Sequence, residues 1–232
     1  MLILHGYGPA IWEMQFLKKL TPYFKIYVPI HPGFSGTPIP NKFSSINDLA
    51  FLYLDFLDKL NLTKVTLMGF SMGGWIATEL ATMNTSRLTR LLLVDSVGIK
   101  VGGREDRDIA DVFALSDDKL ARLTFYNPNI ELYPTKLSNE DLAVFASDRN
   151  ALGVYTWDPY MHNPKLKNRL HRINIPTHFI WGKQDGIVTI DYGRKFCELI
   201  TNSTISTIDQ AGHFPHFEQP DLFSECVLKL TR

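Results

Sequence analysis

The stretch Val65-Thr66-Leu67-Met68-Gly69-Phe70-Ser71-Met72-Gly73-Gly74 decides how this chain folds. Its apolar first half is typical of a buried strand, and the residues from about Met72 onward predict a helix. Between them, Gly69-Phe70-Ser71-Met72-Gly73 fits the pattern Gly-x-Ser-x-Gly, in which flanking glycines allow a tight turn that projects the serine hydroxyl clear of the backbone. Alone, this pattern is typical of any flexible turn. The strand and the helix supply the context that a serine nucleophile requires.

The rest of the chain alternates in the same way. Apolar runs predict further strands at residues 1–4, 25–28, 91–94, 177–181 and 203–208, with helices at 11–20, 45–60, 192–199 and 221–230. Strands that alternate with helices pair in parallel through crossover connections, so we expect an α/β fold with an open, mostly parallel sheet and helices on both faces. The near-continuous apolar strands agree, because a sheet covered on both faces has no polar side.

This alternation stops between residues 98 and 170, where we find helix-like segments, frequent charge and no convincing strand. The sequence therefore predicts one core domain made of residues 1–97 and 171–232, interrupted by a helical insert at 98–170. Aromatic residues of the insert are candidates for lining a substrate pocket, although core packing is the default for each: Phe113, Phe125, Tyr126, Phe145, Tyr155, Trp157 and Tyr160.

Two further residues are candidates to act with Ser71. His213 lies in a glycine-preceded loop after the last strand, and Asp185 follows the strand before it. The carboxyl ends of parallel strands meet at one edge of the sheet, where ligand sites of such folds lie. A histidine base and an acid that orients it are the partners that a serine nucleophile needs. Asp95, at the end of the 91–94 strand, is the alternative acid.

The chain order Ser71, Asp185, His213 resembles the α/β-hydrolase fold family, and in particular its serine esterases with a helical cap. The resemblance covers nearly the whole chain and includes His5-Gly6 as the oxyanion loop and Pro32-Gly33-Phe34 as the following turn. It implies that the backbone N–H groups of Tyr7 and Met72 form the oxyanion hole and that the insert is the cap.

The family's sheet usually has two further strands before the His-Gly loop. This sequence begins inside the strand that leads to that loop, so we expect the usual N-terminal strands to be missing. An uncovered sheet edge invites pairing with another chain, which favours a homodimer.

The resemblance implies a serine hydrolase that cleaves a carboxylic ester of a small molecule through an acyl enzyme. One alternative is a carbon–carbon bond hydrolase of aromatic-ring meta-cleavage products, which the runs Ser71-Met72-Gly73-Gly74 and Gly8-Pro9 resemble and from which Tyr7 and Phe214 depart. Such an enzyme needs a cation for the substrate carboxylate, and the insert offers Arg104, Arg107, Arg122, Arg149 and Arg169. Another alternative is a small-molecule receptor without turnover.

Composition excludes several other classes. Lys plus Arg and Asp plus Glu both number 24, so the chain has no net charge with which to bind nucleic acid or an anionic membrane. No apolar run is long enough for a membrane span. Two cysteines and the lack of a signal-peptide pattern favour the cytoplasm. We expect no cofactor and no metal, because Pro215 and the missing carboxylate argue against a zinc site at His213 and His216.

Overall fold

The structure, a computed structural model, describes residues 1–8, 15–103, 105–128 and 138–231. The strands are β1 Leu2–Leu4, β2 Val65–Phe70, β3 Leu88–Val94, β4 Thr177–Gly182 and β5 Ser203–Ile208. The helices are α1 Gln15–Leu20, α2 Ile46–Lys59, α3 Met72–Met83, α4 Asp117–Thr124, α5 Asn139–Thr156, a 3₁₀ helix Leu166–Arg172, α6 Ile190–Glu198, α7 Pro215–Glu218 and α8 Pro220–Thr231. The start of the helix predicted at 11–20 lies outside the described residues.

The five strands form one sheet in the order β1-β2-β3-β4-β5, and every neighbouring pair is parallel. This confirms the predicted α/β sheet. Near the carboxyl ends, Phe70 pairs with Val94, Val94 with Ile180, and Gly182 with Ile208. The loops that follow β2, β3, β4 and β5 therefore emerge along the same edge.

The strand predicted at 25–28 is wrong in extent. Only Tyr27 forms a bridge, accepting from the Ile3 N–H and donating to the Met1 carbonyl, both at 2.9 Å. The ladder is short because β1 itself is short and because Pro29 has no N–H to continue it. β1 is therefore the edge strand of the sheet, and the bridge to Tyr27 occupies part of its outer side. The homodimer that we based on an open edge stays a prediction.

Two apolar layers cover the sheet. On β3, Leu91 and Leu93 face a cluster that includes α2, α3 and α6, whereas Leu92 and Val94 face a cluster that includes α1 and α8. This alternation follows from the two-residue period of a strand. Helices therefore cover both faces, as the apolar strands predicted.

The insert contributes α4, α5 and the start of the 3₁₀ helix, which crosses the predicted boundary at residue 170. Its buried residues, among them Leu120, Leu152 and Leu166, join the cluster on the α2 and α3 side of the sheet. Among the described residues, no helix is long and apolar enough to cross a membrane.

Candidate active site

Ser71 lies at the junction of β2 and α3 with a φ of +49°, in the left-handed region that most residues avoid. Its N–H donates to the Val94 carbonyl at 2.9 Å. A Cβ atom on Gly69 would lie 2.3 Å from the Gly73 oxygen, and one on Gly73 would lie 2.1 Å from the Leu4 oxygen. Both flanking glycines are therefore required by close backbone approach, which explains the Gly-x-Ser-x-Gly pattern.

The structure brings the three predicted catalytic side chains into one hydrogen-bonded chain. His213 Nε2 lies 2.9 Å from Ser71 Oγ, and His213 Nδ1 lies 2.7 Å from Asp185 Oδ2. An ionised carboxylate only accepts, so Nδ1 carries the proton and Nε2 is the acceptor for the serine hydroxyl. This is the tautomer in which an imidazole can remove the hydroxyl proton.

The carboxylate of Asp185 is held from several sides. Its Oδ1 accepts from the Ile187 and Val188 N–H groups at 2.8 and 3.1 Å, while Oδ2 accepts from His213. Hydrogen bonds to an ionised group are stronger than neutral ones and favour its charged form. The turn after β4 thus holds the Asp185 carboxylate oriented toward the imidazole.

Asp95, the alternative acid, occupies a different position. It follows β3 with a φ of +42°, and its Oδ1 accepts from the Gly182 N–H at 2.8 Å. In the described part of the chain it makes no hydrogen bond to His213. The geometry therefore favours Asp185 as the residue that orients the histidine.

The loop after β1 runs beside the serine. A Cβ atom on Gly6 would lie 3.0 Å from both Ser71 Cβ and the Phe70 oxygen, so this loop can approach only as glycine. Tyr7 follows Gly6, and Met72 opens α3, where first-turn N–H groups have no partner within the helix. The two residues predicted to supply oxyanion donors thus adjoin Ser71 from separate elements.

A buried network that sequence reasoning missed supports the same loop. His31 donates from its backbone N–H to His5 Nε2 at 3.0 Å, and His31 Nε2 lies 2.9 Å from the His5 carbonyl oxygen. Because that carbonyl only accepts, His31 Nε2 carries the proton and Nδ1 accepts from the Tyr53 hydroxyl. The turn His31-Pro32-Gly33 was visible in the sequence, but its pairing with His5 required knowledge that the 25–28 segment lies beside β1.

Burial keeps both rings neutral. It lowers the pKa of His5 to about 4, and it lowers the pKa of His31 well below the ordinary value, with the neighbouring His5 acting in the same direction. The two rings stack with centroids 3.9 Å apart. A neutral, fully hydrogen-bonded pair is suited to bracing a loop and not to proton transfer.

The end of α4 lies between the two loops that carry the acid and the base. The His213 N–H donates to the Thr124 carbonyl at 2.7 Å, and the Gly186 N–H donates to the Leu123 carbonyl at 2.9 Å. A Cβ atom on Gly212 would lie only 2.2 Å from the Thr124 oxygen. The insert therefore directly contacts the backbone of the loops that carry Asp185 and His213.

The Glu218 carboxylate contacts both the histidine loop and the segment that follows α4. It accepts from the Gly212 N–H at 2.7 Å and from the N–H groups of Tyr126 and Asn127 at 3.3 and 3.2 Å. Three backbone donors from two segments converge on one side chain at the start of the histidine loop. Nothing in the sequence marked Glu218, because its partners are backbone groups far away in the chain.

A small cavity opens onto the serine. Its lining consists of His5, Gly6, Tyr7, Gly8, Phe70, Ser71, His213, Phe214 and His216. Among the described residues, this lining contains no lysine, arginine, aspartate or glutamate. The described lining therefore consists of glycines, aromatic rings, imidazoles and the serine itself.

Only some aromatic residues of the insert contact this lining. Phe145 lies with its ring 5.8 Å from that of Tyr7, and Phe125 lies 5.5 Å from Phe214. By contrast, Phe113, Trp157 and Tyr160 pack against one another. Tyr155 donates from its hydroxyl to the Pro32 carbonyl, and Tyr126 is exposed. Of the predicted candidates, Phe145 and Phe125 are the ones that contact pocket residues.

Among the described residues, the side chains of one group have the donor atoms and spacing of a metal site: Asp95, Asp185 and His213, within 4.8 Å of one another. Two of the three side chains, Asp185 and His213, are close because they form a hydrogen bond. His216 packs against Phe70 with ring centroids 4.3 Å apart, and burial lowers its pKa to about 3. Both features suit a packing role for His216.

Comparison with known proteins agrees with this geometry. The sequence profile of the alpha/beta hydrolase fold matches residues 1–220. The chain is 27% identical to 2-hydroxy-6-oxononadienedioate/2-hydroxy-6-oxononatrienedioate hydrolase 1 of Pseudomonas putida (98% of this chain, 86% of the relative). It is 26% identical to the pimeloyl-[acyl-carrier protein] methyl ester esterase of Photobacterium profundum (98% and 92%). The meta-cleavage product hydrolase from Pseudomonas fluorescens superposes with a TM-score of 0.78 at 18% identity, over 99% of this chain and 89% of that one.

Proposed function

Because the chain belongs to the α/β-hydrolase fold family, we propose that this hydrolase is a serine esterase that cleaves a carboxylic ester of a small molecule. The observation that carries the proposal is the unbroken hydrogen-bonded chain from Ser71 Oγ through His213 to Asp185, at 2.9 and 2.7 Å. A nucleophile, a base and an orienting anion at these distances form the arrangement used for acyl transfer.

The reaction has two halves. Ser71 Oγ attacks the ester carbonyl while His213 Nε2 takes the hydroxyl proton, and Asp185 stabilises the resulting imidazolium. The negative charge that develops on the carbonyl oxygen accepts hydrogen bonds from the N–H groups of Tyr7 and Met72. His213 then gives its proton to the departing alcohol. In the second half, water attacks the acyl enzyme with His213 again as base, which releases the acid and restores the serine hydroxyl.

The cavity lining favours a neutral reacting group. A carboxylate close to the scissile bond would find no cationic side chain in the described lining, and burying an unpaired charge is costly. Arg149 of the insert already donates to the carbonyls of Val112 and Phe113 and lies over the Phe113 ring. Arg107 is paired with Asp111, and Arg104 lies outside the described residues. These contacts support a simple ester over an anionic dienoic acid.

A second candidate is a carbon–carbon bond hydrolase of meta-cleavage products. The relative from Pseudomonas putida, named as an oxononadienedioate hydrolase, favours it at 27% identity. Such an enzyme must first protonate a dienol to its keto form, and its substrate brings a carboxylate that the site must bind. The esterase relative at 26% identity is as similar, so the choice depends on the chemistry of the site.

The test compares catalytic efficiency on nitrophenyl esters of graded acyl length with that on a ring-cleavage dienol. We expect the short esters to be preferred and to show a burst of about one nitrophenol per active site where deacylation is slow. An advantage of more than about 100-fold for the dienol, near 2.7 kcal/mol, would replace the esterase by the second candidate. Saturable binding without turnover of any substrate would favour the receptor.

A further inference from the structure

Two buried carboxyl groups lie side by side behind the catalytic histidine. Asp95 is 1% exposed and Asp185 is 5% exposed, and both side chains belong to one buried cluster. One oxygen of each lies within 4.8 Å of the other and of a ring nitrogen of His213. Asp95 directly follows β3 and has a φ of +42°, in the left-handed region.

The two carboxyls have unequal shares of hydrogen-bond donors. Asp185 accepts from two backbone N–H groups and from His213 Nδ1. Asp95 accepts at Oδ1 from the Gly182 N–H, whereas its Oδ2 has no donor among the described residues. Two buried carboxylate ions this close repel each other, and neither can donate a hydrogen bond. Protonation of one carboxyl relieves the repulsion, and it is favoured on the carboxyl that has fewer donors.

The charged groups around Asp95 also favour its protonated form. The titratable groups that face it are Asp185 from the turn after β4, His213 from the loop after β5 and Glu218 from α7. Burial and the charge of Asp185 raise the pKa of Asp95 well above its ordinary value, the Gly182 N–H opposes this in part, and Glu218 adds to it. None of the three neighbours carries a permanent positive charge that would hold Asp95 ionised.

We propose that Asp95 is a positioning residue that keeps its proton at neutral pH and donates it, as an O–H hydrogen bond, to the carboxylate of Asp185. The pair then carries one negative charge, and Asp185 is held between the Asp95 hydroxyl, the turn that follows it and His213. The proton on Asp95 is not transferred during the reaction. This inference rests on the proposed triad, but its first two tests need no substrate.

The first test is infrared spectroscopy at pH 7. We expect a band from a protonated carboxyl in the wild-type protein that is lost in Asp95→Asn and kept in Asp55→Asn, a matched change of an exposed carboxyl on α2. If Asp95→Asn does not fold, Asp185→Asn replaces it, and removal of that charge should shift titration of the band to lower pH. A spectrum unaffected by these changes at 95 and 185 would overturn the proposal.

The second test is stability as a function of pH. Between about pH 3.9, the ordinary aspartate value, and the raised pKa of Asp95, the folded state binds one more proton than the unfolded state. The folding equilibrium constant of the wild type should therefore fall relative to that of Asp95→Asn as pH rises, by about tenfold per pH unit. The ratio of the wild-type constant to that of Asp55→Asn should not change with pH. If the ratio to Asp95→Asn is equally independent of pH, the proposal is overturned.

The third test measures kcat and KM. Asp95→Ala should lower kcat by about 10- to 100-fold, the range expected for loss of one hydrogen bond to a charged group, with KM little changed. Asp95→Asn should recover most of that loss, because an amide can accept from Gly182 and donate to Asp185. Equal losses in the two variants would overturn the positioning role. If instead the infrared and stability results hold while Asp185→Asn keeps full activity, the proposed triad fails and the protonated pair stands.

Discussion

Helices α3 and α5 differ in how they are held. Eleven of the 12 residues of α3 are buried, whereas only Ala151, Leu152, Tyr155 and Thr156 are buried in the 18 residues of α5. α3 begins at Ser71 with no side-chain cap, while α5 begins with a capping box in which Ser138 and Asp141 satisfy each other's backbone N–H groups. Tertiary packing thus defines the helix beside the nucleophile, and local hydrogen bonds define the start of the helix beside the pocket.

We expect this difference to separate the residues that act in the reaction from those that set the substrate preference. The backbone around Ser71 is packed so closely that an added Cβ atom at Gly69 or Gly73 would overlap a neighbouring oxygen. The first half of α5 is largely exposed, and its Phe145 contacts the described pocket lining through Tyr7. We therefore expect substitutions near α3 to remove activity and substitutions in α5 to redirect it. The following predictions test that contrast in order of decreasing effect.

The largest effect is expected at the serines. Ser71→Ala should lower kcat for a nitrophenyl ester by about a millionfold, the loss seen when a triad serine is removed from another hydrolase, with an unchanged melting temperature. Ser147→Ala in α5 removes a hydroxyl that donates to the Gly33 carbonyl at 3.4 Å and should keep activity within a few-fold. Substantial turnover by folded Ser71→Ala would refute the assignment of the nucleophile.

One glycine in each helix, Gly73 in α3 and Gly153 in α5, allows a second comparison. Gly73→Ala in α3 sets a methyl group 2.1 Å from the Leu4 oxygen and should cost about 3 kcal/mol of unfolding free energy, together with most activity. Gly153→Ala in α5 meets only Phe113 at 3.8 Å and should stabilise by up to about 1 kcal/mol through helix propensity. Urea denaturation of both variants measures the contrast. Equal stability changes would contradict it.

Acid should destabilise the fold through buried histidines that line the pocket. Burial lowers the pKa of His216 to about 3 and that of His5 to about 4, so both stay neutral in the folded state while the unfolded chain takes up protons below about pH 6.5. Stability is therefore complete above pH 6.5 and falls as pH drops toward 4, by about 1.4 kcal/mol per pH unit for each ring.

Melting temperatures between pH 7 and pH 4 measure this loss. His31, whose pKa burial also lowers, acts in the same direction, so His216→Phe removes one of several such rings and should make the dependence shallower. His171→Gln, at an exposed position of the 3₁₀ helix, should leave it as in the wild type. A slope that His216→Phe does not change would show that this histidine is not buried in its neutral form.

The smallest effect is expected in α5. Phe145→Ala should change the preference among acyl chain lengths by about tenfold, near 1.4 kcal/mol, because it removes a ring that packs on Tyr7 at the pocket. The burst amplitude of a short ester should be unchanged, since no atom of the triad is touched. A uniform loss of kcat for all esters would show that α5 supports the chemistry and not only the pocket.

The sequence predicted those features that depend on local pattern. Strand and helix periodicity gave the sheet, and the chain order of Ser71, Asp185 and His213 predicted which side chains meet. The sequence favoured Asp185 over Asp95, but it could not show which carboxyl contacts the imidazole, because both residues follow strands at the same sheet edge. Only the backbone turns decide which carboxyl contacts the imidazole.

Features that depend on long-range backbone contacts were missed. The strand at 25–28 was overestimated because its apolar pattern says nothing of how few partner residues β1 offers. The role of His31 depends on that pairing, so it could not be found without it. Glu218 binds three backbone N–H groups, and backbone donors leave no mark on residue identity.

The contact between the end of α4 and the two catalytic loops limits how the insert can be exchanged. Thr124 and Leu123 accept from His213 and Gly186, and Tyr126 shares Glu218 with Gly212. A chimaera that replaced residues 98–170 as one module would remove the partners of both loops along with the pocket. Grafts that retain residues 117–127 would keep the catalytic loops of the host and import only the selectivity of the donor.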